Sequence, residues 1–233
     1  MIKAVCFDLD DTLYDYRGTM SGCETYLCRI TGAYLGIPLQ RCISAFHRVK
    51  KDLYRSRPLD PAVFSWRLRM NSLLSALGRT MEPDVEQTLL GDFWERFLSQ
   101  IVPYTDVFET LGYLRDCGIK TAIVSNGIRD SQEDKVSRLK IADLVKQRFY
   151  SEDVGKNKPA PAIYRLALKN LGIKPPEALM VGDICYVDIR GARDAGLHTC
   201  WYRGGAYSNL MPKNSSEQPE FTITALSKLK SIV

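Results

Sequence analysis

Three carboxylates crowd one short segment near the start of the chain, Phe7-Asp8-Leu9-Asp10-Asp11-Thr12-Leu13. Aspartate is a poor strand former, and three such side chains repel one another. Hard oxygen donors this close suit Mg2+, whose charge relieves the repulsion. A second acidic pair, Asp183 and Asp188, follows another apolar run, and for Asp188 the plain structural role is an N-cap on the helix beyond it. Between the two clusters stand Ser125-Asn126-Gly127 and Lys158-Pro159-Ala160-Pro161. A hydroxyl, backbone N–H groups beside a glycine, an ammonium and a helix N-terminus are the donors that suit an anionic phosphoryl oxygen. Each segment alone is ordinary; four of complementary chemistry along one chain are not.

These residues need a scaffold that brings them to one place. Ala4–Phe7, Ile119–Val124, Arg148–Tyr150, Ala178–Val181 and Leu197–Trp201 read as short buried strands. Helical stripes lie between them: Val107, Phe108, Leu111 and Leu114; Val136, Leu139 and Val145; Ile163, Leu166, Ala167 and Leu171, closed by Gly172; and Ile189 to Ala195. This alternation predicts an α/β class, a Rossmann-like three-layer core with a parallel sheet. The carboxyl ends of such strands share one edge, where ligands bind, so Asp183 is expected to converge on Asp8 and Asp10. From Tyr16 to Val102 helical patterning persists without a strand. The reading is a core of residues 1–14 and 103–233 with an all-helical domain, 15–102, inserted after the first strand. Residues 203–219 read as a surface loop before a terminal strand and helix.

Composition bounds the possibilities. The 233 residues are 45% hydrophobic and 25% charged, as expected of a folded globular chain. A net charge of +5 is too mild to mark a nucleic-acid or membrane surface, yet it does not repel a small phosphorylated metabolite. Seven cysteines without a CxxC pair point to a reducing compartment and no structural zinc. No apolar stretch approaches the roughly 18 residues of a membrane helix, and the N-terminus lacks a signal-peptide pattern, so a cytoplasmic location is expected.

The four segments together resemble the motifs of the haloacid dehalogenase superfamily: Asp8-Leu9-Asp10-Asp11-Thr12, Ser125, Lys158, and Asp183 with Asp188. The long gap between the first two is where that family inserts a helical cap. The resemblance implies that Asp8 is a nucleophile forming an aspartyl phosphate and that Asp10 is the general acid and base. It further implies that Ser125 and Lys158, with Asn126 nearby, hold the phosphoryl group. Mg2+ would be bound by Asp8, by Asp10 through its carbonyl, and by Asp183, while Asp188 would orient Lys158 or a metal-bound water. The charge count agrees: four aspartates outweigh Lys158, and a dianionic phosphate needs the metal. Asp10 also disfavours dehalogenation, because the dehalogenases lack an acid at that position. Asp11 stands where many relatives have glycine.

Ile123 to Gly127, Met180 to Asp183 and Ala195 to Trp201 are similar to the pyrimidine 5'-nucleotidase and acylneuraminate-phosphatase branch, which makes a nucleoside 5'-monophosphate the expected substrate. The rivals are a phosphomutase of the same fold and a non-catalytic binding protein. Other candidates have plainer readings. His198 reads as a packed strand residue, His47 joins no triad, and Cys6 and Cys185 read as buried inert thiols. Arg48, Lys50, Lys51, Arg55 and Arg57 read as a solvated face of the inserted domain, with the alternative that one or two reach over the site to a substrate anion. Tyr16, Tyr54, Phe64 and Trp66 either stack on a base or sugar or pack the insert against the core.

Overall fold

The computed structural model describes residues 1–233. Six strands, β1 (Ala4–Phe7), β2 (Lys120–Ser125), β3 (Gln147–Tyr150), β4 (Ala178–Gly182), β5 (His198–Tyr202) and β6 (Phe221–Ile223), form one sheet in the order β3-β2-β1-β4-β5-β6. Every pairing is parallel. The chain winds outward from β1 in one direction and then from β4 in the other, so a topological switch point lies between them. Phe7 pairs with Ile123 on one side and Val181 on the other. The residues just past β1, β2 and β4 therefore emerge side by side.

Four helices, α1 (Tyr16–Leu35), α2 (Leu39–Ser56), α3 (Trp66–Leu77) and α4 (Pro83–Gln100), fill the stretch between β1 and the rest of the sheet. Local signals set their starts. Asp15 accepts the Gly18 N–H at 2.8 Å, and Ser65 accepts the Leu68 N–H at 3.3 Å. Pro83 opens α4, where Asp84 and Glu86 face the positive end of the helix. Leu27, Phe46, Leu73, Phe93 and Phe97 are buried among these helices, and the Trp66 ring lies 4.5 Å from Phe93. The chain leaves and returns at one point, where Tyr104 donates its N–H to the Leu13 carbonyl at 2.9 Å.

Two seams tie this helical segment to the sheet domain. Along one, Trp94 Nε1 donates to Asp134 at 2.8 Å, and Arg138 donates to the carbonyls of Leu98 and Ser99 at 2.8 and 3.0 Å. Along the other, Asn157 donates its backbone N–H to the Leu59 carbonyl at 2.9 Å and its amide to the carbonyls of Pro58 and Asp60 at 3.3 and 3.0 Å.

Helices α5 (Val107–Asp116) and α6 (Arg129–Arg138) pack on one face of the sheet with Val5 and Phe7. Helices α7 (Ala162–Leu171) and α8 (Arg190–Asp194) pack on the other with Ala4 and Cys6. The alternation along β1 thus buries both of its faces. Each fully buried large apolar side chain there, such as Val5 or Phe7, contributes roughly 1.5–3 kcal/mol. No helix is long and apolar enough to cross a membrane.

The structure corrects several local expectations. Val145 lies beyond α6, which stops at Arg138 as Lys140 turns into a positive φ of 58°. Phe108 is 45% exposed, one step off the buried stripe of Val107, Leu111 and Leu114. The segment expected to be one helix from Ile189 begins earlier, as a wide π turn over Cys185–Ile189 that runs into the short α8. The terminal helix is a 3-10 segment, Leu226–Ser231. His198 is not packed away: its ring pairs with Glu220 at 2.5 Å, and both side chains are well exposed.

Candidate active site

Asp8 is the first residue past β1, and its N–H continues the ladder by donating to the Val181 carbonyl at 2.9 Å. Its carboxylate accepts Lys158 Nζ at 2.6 Å. The same ammonium donates to Asp188 at 2.6 Å and to the Val124 carbonyl at 2.9 Å, so all three of its protons are placed. Burial works against the Lys158 charge, but Asp188 and Asp8 more than reverse that, and the ammonium is held above the ordinary lysine range.

Asp183 sits just past β4, on a loop fixed by Trp201, whose indole N–H donates to the Asp183 carbonyl at 2.9 Å. Carboxylate oxygens of Asp8, Asp183 and Asp188 lie within 4.8 Å of one another. Burial pushes Asp8 up to about 7, with Lys158 opposing and Asp188 and Asp10 adding to the rise. Burial, then Asp188 and Asp8, push Asp183 well above the usual carboxylate range. Asp183 Oδ2 is buried and has no hydrogen-bond partner. Three crowded carboxylates, one with an orphaned oxygen and only one lysine to offset them, form a hard-oxygen donor set that fits a divalent cation.

Asp188 is not a helix N-cap. The π turn carries it back toward the strand end, where Oδ2 accepts the Ile184 N–H at 3.0 Å while Oδ1 faces Lys158. Glycine at 182 makes this possible, since a Cβ there would lie 2.5 Å from the Asp188 carboxyl carbon. Of the residues expected at a metal, Asp8 and Asp183 meet here and the Asp188 carboxylate joins them, while Asp10, expected there through its backbone carbonyl, turns its side chain elsewhere. The Asp10 carboxylate instead accepts the Tyr14 hydroxyl at 2.5 Å and pairs with Lys135 Nζ, 2.9 Å from each oxygen.

Lys135 is the residue that reading the sequence missed. It comes from α6, is 5% exposed, and also lies 4.8 Å from the Tyr16 ring. Ser125, the last residue of β2, is buried and accepts Gln132 Nε2 at 2.8 Å. The side chain of Asn126 departs from its expected role. Its oxygen accepts the Lys158 N–H at 2.7 Å and its nitrogen donates to the Lys158 carbonyl at 3.3 Å, so it braces the lysine backbone rather than reaching for a ligand. Asp11 takes a positive φ of 61°, the left-handed conformation that glycine and aspartate tolerate, and accepts the Arg17 N–H at 2.9 Å at the start of α1.

A cavity of about 20 Å3, room for roughly one water, lies between α1, α3 and α6 beside Asp10. Tyr16, Phe64 and Trp66 line it, whereas Tyr54 does not. The cation that the helical segment brings there is Arg69. None of Arg48, Lys50, Lys51, Arg55 and Arg57 lines the cavity, and Lys50 is bound to Glu24 instead. The run stays a largely solvated face.

Comparison with known proteins places these observations among relatives. The haloacid dehalogenase-like hydrolase family matches residues 2–196. A glyceraldehyde 3-phosphate phosphatase of Methanopyrus kandleri is 33% identical over 100% of this chain and 97% of its own length. A ribulose-1,5-bisphosphate 5-phosphatase of Halopiger xanaduensis is 28% identical, with both chains fully covered. A crystal structure of a 2-haloacid dehalogenase from Pseudomonas syringae pv. Tomato DC3000 superposes with a TM-score of 0.75 and 28% identity, covering 100% of this chain and 98% of that one.

Proposed function

Because the chain belongs to the haloacid dehalogenase-like hydrolases, we propose that it is a phosphoric monoester hydrolase that removes phosphate from a small metabolite through an aspartyl phosphate on Asp8. The observation that carries this reading is the division of labour between the two carboxylates of the first motif. Asp8 lies at the carboxylate cluster against Lys158, while Asp10, two residues on, is held separately by Tyr14 and Lys135. A nucleophile and an acid in different surroundings are what a two-step phosphoryl transfer requires.

In the first step an Asp8 oxygen attacks phosphorus and the ester P–O bond breaks. Asp10 gives its proton to the departing alkoxide. In the second step a water attacks the aspartyl phosphate, Asp10 takes a proton from it, and inorganic phosphate leaves with Asp8 regenerated. Lys158 lies where it can neutralise charge on the phosphoryl oxygens, Ser125 is a further donor at the end of β2, and Asn126 fixes the lysine backbone. Asp8 and Asp183, with Asp188 beside them and the Asp10 carbonyl, would hold Mg2+, which when bound supplies charge neutralisation at the phosphoryl group. Residues 15–102 serve as a cap that covers Asp10 and shields the intermediate.

Structural likeness to a dehalogenase raises the neighbouring reaction, but a halide leaving group needs no proton and so no Asp10. A nucleoside 5'-monophosphate remains a candidate through the core segments that resemble the nucleotidase branch. The phosphatase relatives named for triose and pentose phosphates give better support to a short-chain phosphate. The test is phosphate release from a broad phosphoester panel with Mg2+ and with chelator. Release that needs the metal is expected; no release from any ester would contradict the proposal.

A further inference from the structure

A hydroxyl helps a phosphoryl group only if its single proton points at the anion. One that commits that proton to a protein carbonyl meets the phosphoryl oxygen with lone pairs and repels it. At Ser125 the direction is fixed by Gln132, a residue on the first turn of α6 that is 1% exposed and belongs to none of the four sequence segments. Gln132 Nε2 donates to the Asn126 carbonyl at 3.0 Å and to Ser125 Oγ at 2.8 Å. A carbonyl can only accept, so the nitrogen end of the amide must face this pair, and its second proton falls on the Ser125 oxygen.

The hydroxyl's own proton finds no good protein partner. The Asn126 carbonyl is 3.5 Å from it, beyond the usual O–H···O range, and is already held by Gln132. The Val124 carbonyl accepts Lys158 Nζ, and the Asn126 side-chain oxygen accepts the Lys158 N–H. Ser125 is itself 1% exposed, and a buried donor without an acceptor is costly unless a ligand supplies one. The turn after β2 is shaped for the contact. Gly127 has a φ of 150°, and a Cβ there would lie 2.9 Å from Gln132 Cγ and Cδ, so glycine lets the glutamine cross the turn to Ser125. Ser151 holds the same turn, its Oγ accepting the Gly127 N–H at 3.0 Å.

From this we infer that Gln132 is a positioning residue that sets the polarity of Ser125, holding its hydroxyl as a one-way donor to the phosphoryl group of the substrate. The inference rests on the phosphatase reading and deepens it. Gln132 acts through Ser125 and not on the reacting atoms, so its whole effect on catalysis should disappear when the Ser125 hydroxyl is removed.

The experiment is a double-mutant cycle in the full chain, read as kcat/KM on an aryl phosphate with Mg2+. Gln132→Met keeps the length of the side chain and removes the donor. It should lower kcat/KM about 10-fold, a share of the roughly 100–1,000-fold that loss of a transition-state donor costs. Gln132→Glu reverses the polarity, since its carboxylate accepts the Ser125 proton, and the loss at pH 8 should reach about 100-fold. Burial favours the protonated form of that acid, so at pH 6 a donor returns and the ratio of variant to wild-type kcat/KM should rise several-fold. In a Ser125→Ala background neither substitution should cost more than about 2-fold, because the two residues act as one unit. Losses that multiply with that of Ser125→Ala, or a Gln132→Glu ratio that stays flat between the two pH values, mark Gln132 as a packing residue and overturn the inference while the phosphatase reading stands. Should Gln132→Glu fail to fold, Gln132→Met in the two backgrounds decides alone. Absence of wild-type turnover on every ester overturns both.

Discussion

Lys135 shows at the scale of single residues what a sequence conceals. In Arg129-Asp130-Ser131-Gln132-Glu133-Asp134-Lys135 it is one charge among many, and only the turn of α6 carries it beneath the inserted helices to Asp10. Arg69 was hidden in the same way, because Arg67 two positions earlier has the same chemistry but projects into solvent with a side chain 65% exposed. Helical phase separates them, and phase within a helix buried on several sides is not legible from composition. The aspartates and Lys158 were legible for the opposite reason: each lies near a strand end, and a parallel sheet puts those ends on one edge. Lys135→Met should leave Asp10 with Tyr14 alone. The expected outcome is a fall of about 10–100-fold in kcat/KM, the scale of a lost hydrogen bond to a charged group, read by steady-state kinetics on an aryl phosphate. Unchanged kinetics would show that the pair is incidental.

At the scale of elements, the strands and most helices could be read from apolar runs and glycine stops, but the π turn could not. It adds a residue to the turn after β4, and that extra step is what sends Asp188 back to Lys158 instead of leaving it as a cap. Its demand falls on Gly182, where a side chain would enter the Asp188 carboxylate. Gly182→Ala is expected to destabilise the fold by about 1–3 kcal/mol, the cost of overpacking a tight contact, seen in a denaturant melt. It should also lower activity further than the residual folded fraction explains. A variant with wild-type stability and activity would mean that the turn relaxes freely. The seams at Asn157 and Arg138 were likewise beyond sequence reading, because they pair side chains with backbone carbonyls that any residue supplies.

Charge balance governs the behaviour of the whole molecule. Asp8 is pushed up to about 7 by burial, and Asp183 rises for the same cause. Between the unfolded carboxylate value near 4 and about 7, the metal-free native state therefore holds more protons than the unfolded chain, so its stability falls as pH rises through that window. A divalent cation must displace those protons, so its stabilisation should be weaker at pH 6 than at pH 8. At about 100 times its dissociation constant Mg2+ contributes about 2.7 kcal/mol, a rise of several degrees in Tm for a chain of this size. Thermal melts with Mg2+ or chelator at the two pH values check this, and Asp183→Asn should abolish the shift. Equal shifts at both pH values, or none, would contradict the carboxylate site.

The central claim is that Asp8 forms a covalent bond to phosphorus, and Asp8→Asn tests it most directly. The amide keeps the size of the side chain and removes one charge from a crowded cluster, so the variant should melt no lower than the wild type. Hydrolysis of an aryl phosphate with Mg2+ should then be lost by at least about three orders of magnitude, as expected when a nucleophile acting with its partners is removed. Turnover near the wild-type rate in that folded variant would contradict the account.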